Sequence, residues 1–106
     1  MTNNSIANTL LTKACKAVTT DRGTTHGDTK PSFEMISELW SVYINHRFPN
    51  GDVKLTPVDV AQMMSLLKKA RSVYGSTGIE DHFVDDLGYS SLAGMFQLAF
   101  NPKGEL

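Results

Sequence analysis

Acidic, basic and histidine side chains recur at helical spacing in this chain, and together they suggest phosphate chemistry around a divalent cation. Asp81 and Asp85 stand four residues apart, which puts both carboxylates on one helix face. Mg²⁺ commonly takes one or two protein carboxylates plus phosphate oxygens. These two aspartates, with Glu38 from another helix, are therefore the candidate metal ligands. Lys68 and Arg71 are neighbours on a helix surface and, with Arg22, are the candidate phosphate contacts, because charge-assisted bonds to phosphate oxygens are among the strong ones. His26 and Asp28 sit in a glycine-containing segment and are the candidate catalytic groups that close over a ligand. Each feature also has a plainer reading. Acids at a helix start complement its dipole. Glu34 and Glu38 make a solvated face, and Lys68 and Arg71 a solvated last turn.

Other chemistries find no support. Histidines and the single Cys15 lack zinc-ligand spacing. The segment His26-Gly27-Asp28 is neither a P-loop nor a dinucleotide fingerprint. Cys15 has no activating base nearby in sequence and reads as a packing residue. Trp40 and the Met63-Met64 pair read as core.

Four helical stretches must position these groups. The first spans about 4–18, where Ile6, Leu10, Ala14 and Ala17 keep a three-to-four spacing and Asn4 or Ser5 can cap the start. Residues 19–31 read as a loop, with Gly23, Gly27 and Pro31 among threonines and aspartates. A second helix starts near Ser32, carries an apolar stripe of Phe33, Ile36, Trp40, Tyr43 and Ile44, and stops before Pro49-Asn50-Gly51-Asp52. Thr56-Pro57-Val58-Asp59 signals the N-terminus of a third helix: a capping hydroxyl, a proline in the first turn and an acid at the third position. Val60, Met63, Met64, Leu67 and Tyr74 are its expected inner face. The fourth helix spans about 79–100, with stripes through Val84, Leu87, Ser91, Met95 and Leu98 and through Phe83, Leu92, Phe96 and Ala99. Gly88, Ser91 and Gly94 would let a neighbouring helix approach it closely.

The pattern predicts an all-α, single-domain four-helix bundle over residues 1–106, with flexible ends at 1–3 and 102–106. The wide apolar surface of the fourth helix predicts a homo-oligomer. With 106 residues there is room for one modest core. Ten Lys plus Arg against eleven Asp plus Glu leave a net charge of −1, which argues against nucleic acid held by bulk electrostatics. The balance conceals segregation. Residues 1–30 carry four bases and two acids, 31–75 five and four, and 76–106 one and five. No apolar run approaches the roughly 20 residues of a membrane span. The start has neither a basic nor an apolar leader segment, and one cysteine fits a reducing cytoplasm.

Several elements together resemble an uncharacterised family of small phage and prophage proteins. They are Val18-Thr19-x-Asp21-Arg22, His26-Gly27-Asp28, Phe33…Leu39-Trp40…Tyr43, Leu55-Thr56-Pro57-Val58-Asp59-Val60-Ala61-Gln62-Met63-Met64, Leu67-Lys68-Lys69-Ala70-Arg71 and Asp85-x-x-Gly88-Tyr89, within about residues 16–95. The last element adds Tyr89 to the candidate ligand contacts. The same layout is similar to the MazG-like all-α nucleotide pyrophosphohydrolases. That resemblance implies Mg²⁺ as cofactor and a nucleoside triphosphate as substrate. This chain offers Glu34-x-x-x-Glu38 and Asp81-x-x-x-Asp85 where that superfamily carries Glu-x-x-Glu and Glu-x-x-Asp. Two functional classes follow. One is a nucleotide-binding or MazG-like pyrophosphohydrolase-like protein. The other is a non-enzymatic phage accessory protein that binds a host or defence-system protein.

Overall fold

The computed structural model describes residues 2–21, 29–75 and 78–100. Four α-helices account for most of them: α1 (Asn3–Lys16), α2 (Thr29–Arg47), α3 (Pro57–Tyr74) and α4 (Glu80–Phe100). Helix α1 runs on into a π-helical turn, Ala17–Asp21. There is no strand among the described residues, and the all-α expectation is met. None of the described helices is long and apolar enough to cross a membrane.

Local chemistry sets the helix ends. Thr2, rather than Asn4 or Ser5, caps α1: its hydroxyl oxygen accepts a hydrogen bond from the Ser5 N–H at 3.0 Å. Lys13 and Lys16 occupy the last turn of α1, where cations complement the dipole. Helix α2 starts at Thr29, three residues before Ser32, so residues 19–21 and 29–31 of the expected loop are helical. At α3 the expected capping box is complete. The Asp59 N–H donates to Thr56 Oγ1 (3.4 Å), and the Thr56 N–H donates to Asp59 Oδ2 (2.8 Å). Removing such a cap costs about 1 kcal/mol. Thr56→Ala is expected to lower unfolding free energy in urea by about that amount, with Thr56→Ser close to wild type. Gly75 ends α3, where a Cβ would meet the Arg71 carbonyl oxygen at 2.7 Å.

The short 75–79 connection makes α3 and α4 antiparallel neighbours, and they form the largest helix–helix contact. Helix α1 packs on α4, and α2 packs on α3. The buried cluster comprises Phe33 of α2, Val60 and Ala61 of α3, and Leu92, Ala93 and Phe96 of α4, with Val18, Ile36, Trp40, Val58, Met64 and Tyr89 packed around it. Between α2 and α3 the chain is pinned by side-chain bonds to backbone. Asn45 donates to the Val53 carbonyl and accepts from the Val53 N–H, both at 2.8 Å, and Ser41 Oγ accepts from the Leu55 N–H at 2.8 Å.

Several expected faces are rotated. On α4 the buried line runs through Val84, Gly88, Leu92, Ala93 and Phe96, while Met95 and Leu98 are exposed. On α3 Val60 is buried, but Met63, Leu67 and Tyr74 point outward. On α2 Phe33 is buried and Tyr43 is exposed. Cys15, expected to pack, is exposed. The close approach at Gly88 is made within the chain, because a Cβ there would lie 3.4 Å from Val18. A second copy is therefore not needed to explain Gly88.

Candidate functional site

The α3–α4 junction is apolar where Val60 and Ala61 meet Leu92, Ala93 and Phe96, but polar toward the C-terminal half of α3. Antiparallel packing brings the doublet Lys68-Lys69 of α3 against the doublet Asp85-Asp86 of α4. Lys68 Nζ lies 2.9 Å from Asp85 Oδ2, and the Lys68 side chain is only 15 % exposed. Lys69 Nζ donates to both oxygens of Asp86, at 2.8 and 2.9 Å, and to Ser65 Oγ at 2.8 Å. The buried Ser65 hydroxyl donates to Asp86 in turn, and Ser90 Oγ lies 3.3 Å from it. Stepping from Lys69 back to Ser65 on α3 matches stepping from Asp86 forward to Ser90 on α4, the register of antiparallel helices.

Electrostatics agree with this geometry. Burial opposes ionisation of Asp86, but the hydrogen bonds from Lys69 and Ser65, the Lys69 charge and the Ser90 hydroxyl outweigh it. The carboxyl is held below its ordinary value. At the start of α4, Lys13 of α1 pairs with Glu80, and that bond raises the Lys13 ammonium above its ordinary value. His82 Nε2 is buried without a hydrogen-bond partner.

The sequence-predicted residues fare unevenly. Lys68 and Asp85 come together as one ion pair. Arg71 is exposed one turn beyond Lys68. Tyr89, one turn beyond Asp85, lies against the Phe33 ring with centroids 6.5 Å apart. Asp81 is exposed at the start of α4, and its charge supports the Lys13 ammonium. Glu38 lies in a groove with His46 and Asp52 at the far half of α2, and Glu34 pairs with Lys30 at 3.4 Å. Among the described residues no three His, Cys, Asp or Glu side chains come together as a metal cluster. Asp81, Asp85 and Glu38, the candidate metal ligands, are therefore not brought together as such a cluster. Arg22, His26 and Asp28 lie outside the described residues. Sequence reasoning missed Ser65, Lys69, Asp86 and Ser90. The available signal was the pair of doublets, Lys68-Lys69 and Asp85-Asp86, on either side of a glycine-flanked turn.

Comparison with known proteins places the chain. The family model described as a domain of unknown function, DUF6378, matches residues 9–97. The chain belongs to the DUF6378 family. This DUF6378 chain is also 36 % identical over 98 residues to the Gene 55 protein of Mycobacterium phage L5. That match covers 90 % of the chain and 58 % of the phage protein, so the chain spans little more than half the length of that relative. No solved structure matches it. The expected membership of an uncharacterised phage protein family is therefore met. All the described junction residues, Ser65 to Lys69 and Asp85 to Ser90, fall within the DUF6378 match.

Proposed function

We propose that this DUF6378 protein binds a phosphate-bearing small molecule of the nucleotide type at the α3–α4 junction. The observation that carries this reading is the Lys68–Asp85 pair. A small core places an ammonium at a largely buried position and backs it with a carboxylate. An ion pair with one partner largely buried and the other 41 % exposed adds little stability over apolar residues of similar size, and such departures from packing rules concentrate at functional sites. An ammonium has three N–H donors, so Lys68 can hold Asp85 and a ligand oxygen together. Arg71, one turn on, adds a forked guanidinium suited to phosphate. The reading keeps the anion-binding half of what the MazG-like resemblance implies. It assigns no hydrolysis and no Mg²⁺, since the aspartates nearest the site are engaged by lysines.

Thermal-shift and calorimetric titration with inorganic pyrophosphate and the four dNTPs test this. Ligand binding to the folded state raises the melting temperature. Lys68→Met is expected to abolish the shift. Asp85→Asn removes a negative charge beside the ligand, a change of about 1 kcal/mol, and is expected to tighten binding about fivefold. A metal cage would respond oppositely, with Asp85→Asn losing binding. The absence of any shift at millimolar ligand overturns the proposal.

A further inference from the structure

We propose that the network of Ser65, Lys69, Asp86 and Ser90 sets the rotation of the C-terminal half of α3 on α4, and that its members are positioning residues for Lys68. Apolar packing orients the first turns of α3, where Val60 and Ala61 lie in the core cluster with Leu92, Ala93 and Phe96 of α4. Beyond Met64 it gives no such instruction. Leu66, Val73 and Tyr74 are exposed, while Ser65 and Lys68 take the side toward α4. Burial of apolar surface is non-directional, and over these turns it favours the opposite face of α3. Helix α4 supplies no correction, since Phe83, Met95 and Leu98 are exposed on it as well. The polar side nevertheless packs inward.

Hydrogen bonds are directional, and these four groups satisfy one another in this rotation. The buried Ser65 gives its one hydroxyl proton to Asp86 and accepts from Lys69 at 2.8 Å. Ser90 Oγ, 3.3 Å away, is then the donor in the remaining contact. A hydroxyl has one donor and two acceptor positions, so Ser65 is complete. Asp86 holds Lys69 through both of its oxygens. Turning α3 to bring Leu66 and Val73 inward would separate Ser65 and Lys69 from Asp86. A carboxylate only 22 % exposed is costly to leave without its ammonium. The network therefore penalises the apolar alternative more than it adds to packing, the best-attested use of buried polar groups between helices. What it orients is the sequence neighbour of Lys69. Lys68 reaches Asp85 at 2.9 Å in the rotation that joins Lys69 to Asp86.

Thiol labelling reads the rotation and needs no ligand, so its outcome is independent of phosphate binding at Lys68. Cys15 is exposed and is replaced by serine, leaving one reporter thiol. The reporter is either Val73→Cys on the outer side or Ser72→Cys, half-buried and one turn beyond Lys68. In this parent chain position 73 is expected to react several-fold faster than position 72. Ser65→Ala, Lys69→Met and Asp86→Leu together replace the network with apolar side chains. That triple variant is expected to keep its helix content by circular dichroism, because partners removed together leave no buried group unpaired. Its labelling preference for 73 over 72 is expected to disappear or reverse. Lys69→Asp alone sets like charges together and should also erase the preference, and adding Asp86→Lys should restore it. A preference that survives the triple variant overturns the proposal, as does failure of the charge exchange to restore it. Loss of helix content in the triple variant would make the network a stabiliser and not an orienting device, and likewise overturns it. With inorganic pyrophosphate as probe, a parent and a triple variant that bind equally would overturn the positioning of Lys68.

Discussion

Phe33→Ala is expected to lower unfolding free energy by about 3–5 kcal/mol, the cost typical of emptying a buried aromatic site. Phe33 is 1 % exposed, the most deeply buried aromatic side chain among the described residues. Its ring lies 5.3 Å from Phe96 and 6.5 Å from Tyr89, centroid to centroid, tilted against both. It is the wedge by which α2 is held to α4. Only eight hydrophobic residues are buried among those described, so little else can close over the cavity. Domains of this size have about 5–15 kcal/mol in total, and the variant should be partly unfolded at physiological temperature. Urea unfolding followed by circular dichroism reads the effect as a lower midpoint with an unchanged slope. A loss below about 1 kcal/mol would mean that α2 is held by other contacts, the scale of an ordinary surface change being about 0.5 kcal/mol.

How much of this was legible in the sequence depended on the kind of signal. The α3 start was readable to the residue, because Thr56, Pro57 and Asp59 act on their own backbone within one turn. The buried Phe33 and Val60 were readable, since each sits among apolar neighbours at helical spacing. The inner face of α3 was readable only in part: Val60 is buried and Met64 packs on the core, whereas Met63, Leu67 and Tyr74, chosen by the same periodicity, are exposed. A hydrophobic stripe gives the spacing of apolar residues but not which of them pack inward, and on α3 Ser65 and Lys68 take part of the side toward α4. The same limit hid the junction. Lys68 and Asp85 were singled out as separate contacts, one for phosphate and one for metal, whereas antiparallel packing joins them. Charge spacing along one helix gives no register between two. The register follows only from the antiparallel packing of α3 on α4, which makes Lys69 and Asp86 partners.

That partnership sets the second large effect. Asp86→Ala is expected to cost about 2–3 kcal/mol, the range for hydrogen bonds to a charged group together with a buried hydroxyl left without its acceptor. The hydroxyl is that of Ser65, which is 3 % exposed and donates to Asp86. Lys69, more than half exposed, regains water and so loses less. The ionised carboxylate is the stabilising form, because Asp86 is held below the ordinary value of 3.8. Its contribution is therefore complete above that value and drains away as pH falls through the lower folded-state value, where the native carboxylate finally takes up a proton. Unfolding free energy measured across that acid window should slope upward with pH in the wild type. In Asp86→Asn, which preserves shape but has no proton to release, the slope contributed by this position should vanish. The two substitutions also separate charge from geometry. The asparagine oxygen can still accept from Ser65, so Asp86→Asn should lose less than Asp86→Ala at neutral pH. Equal losses would place the stabilisation in the Lys69 charge alone. A wild-type slope that survives Asp86→Asn unchanged would place the acid sensitivity in another carboxylate.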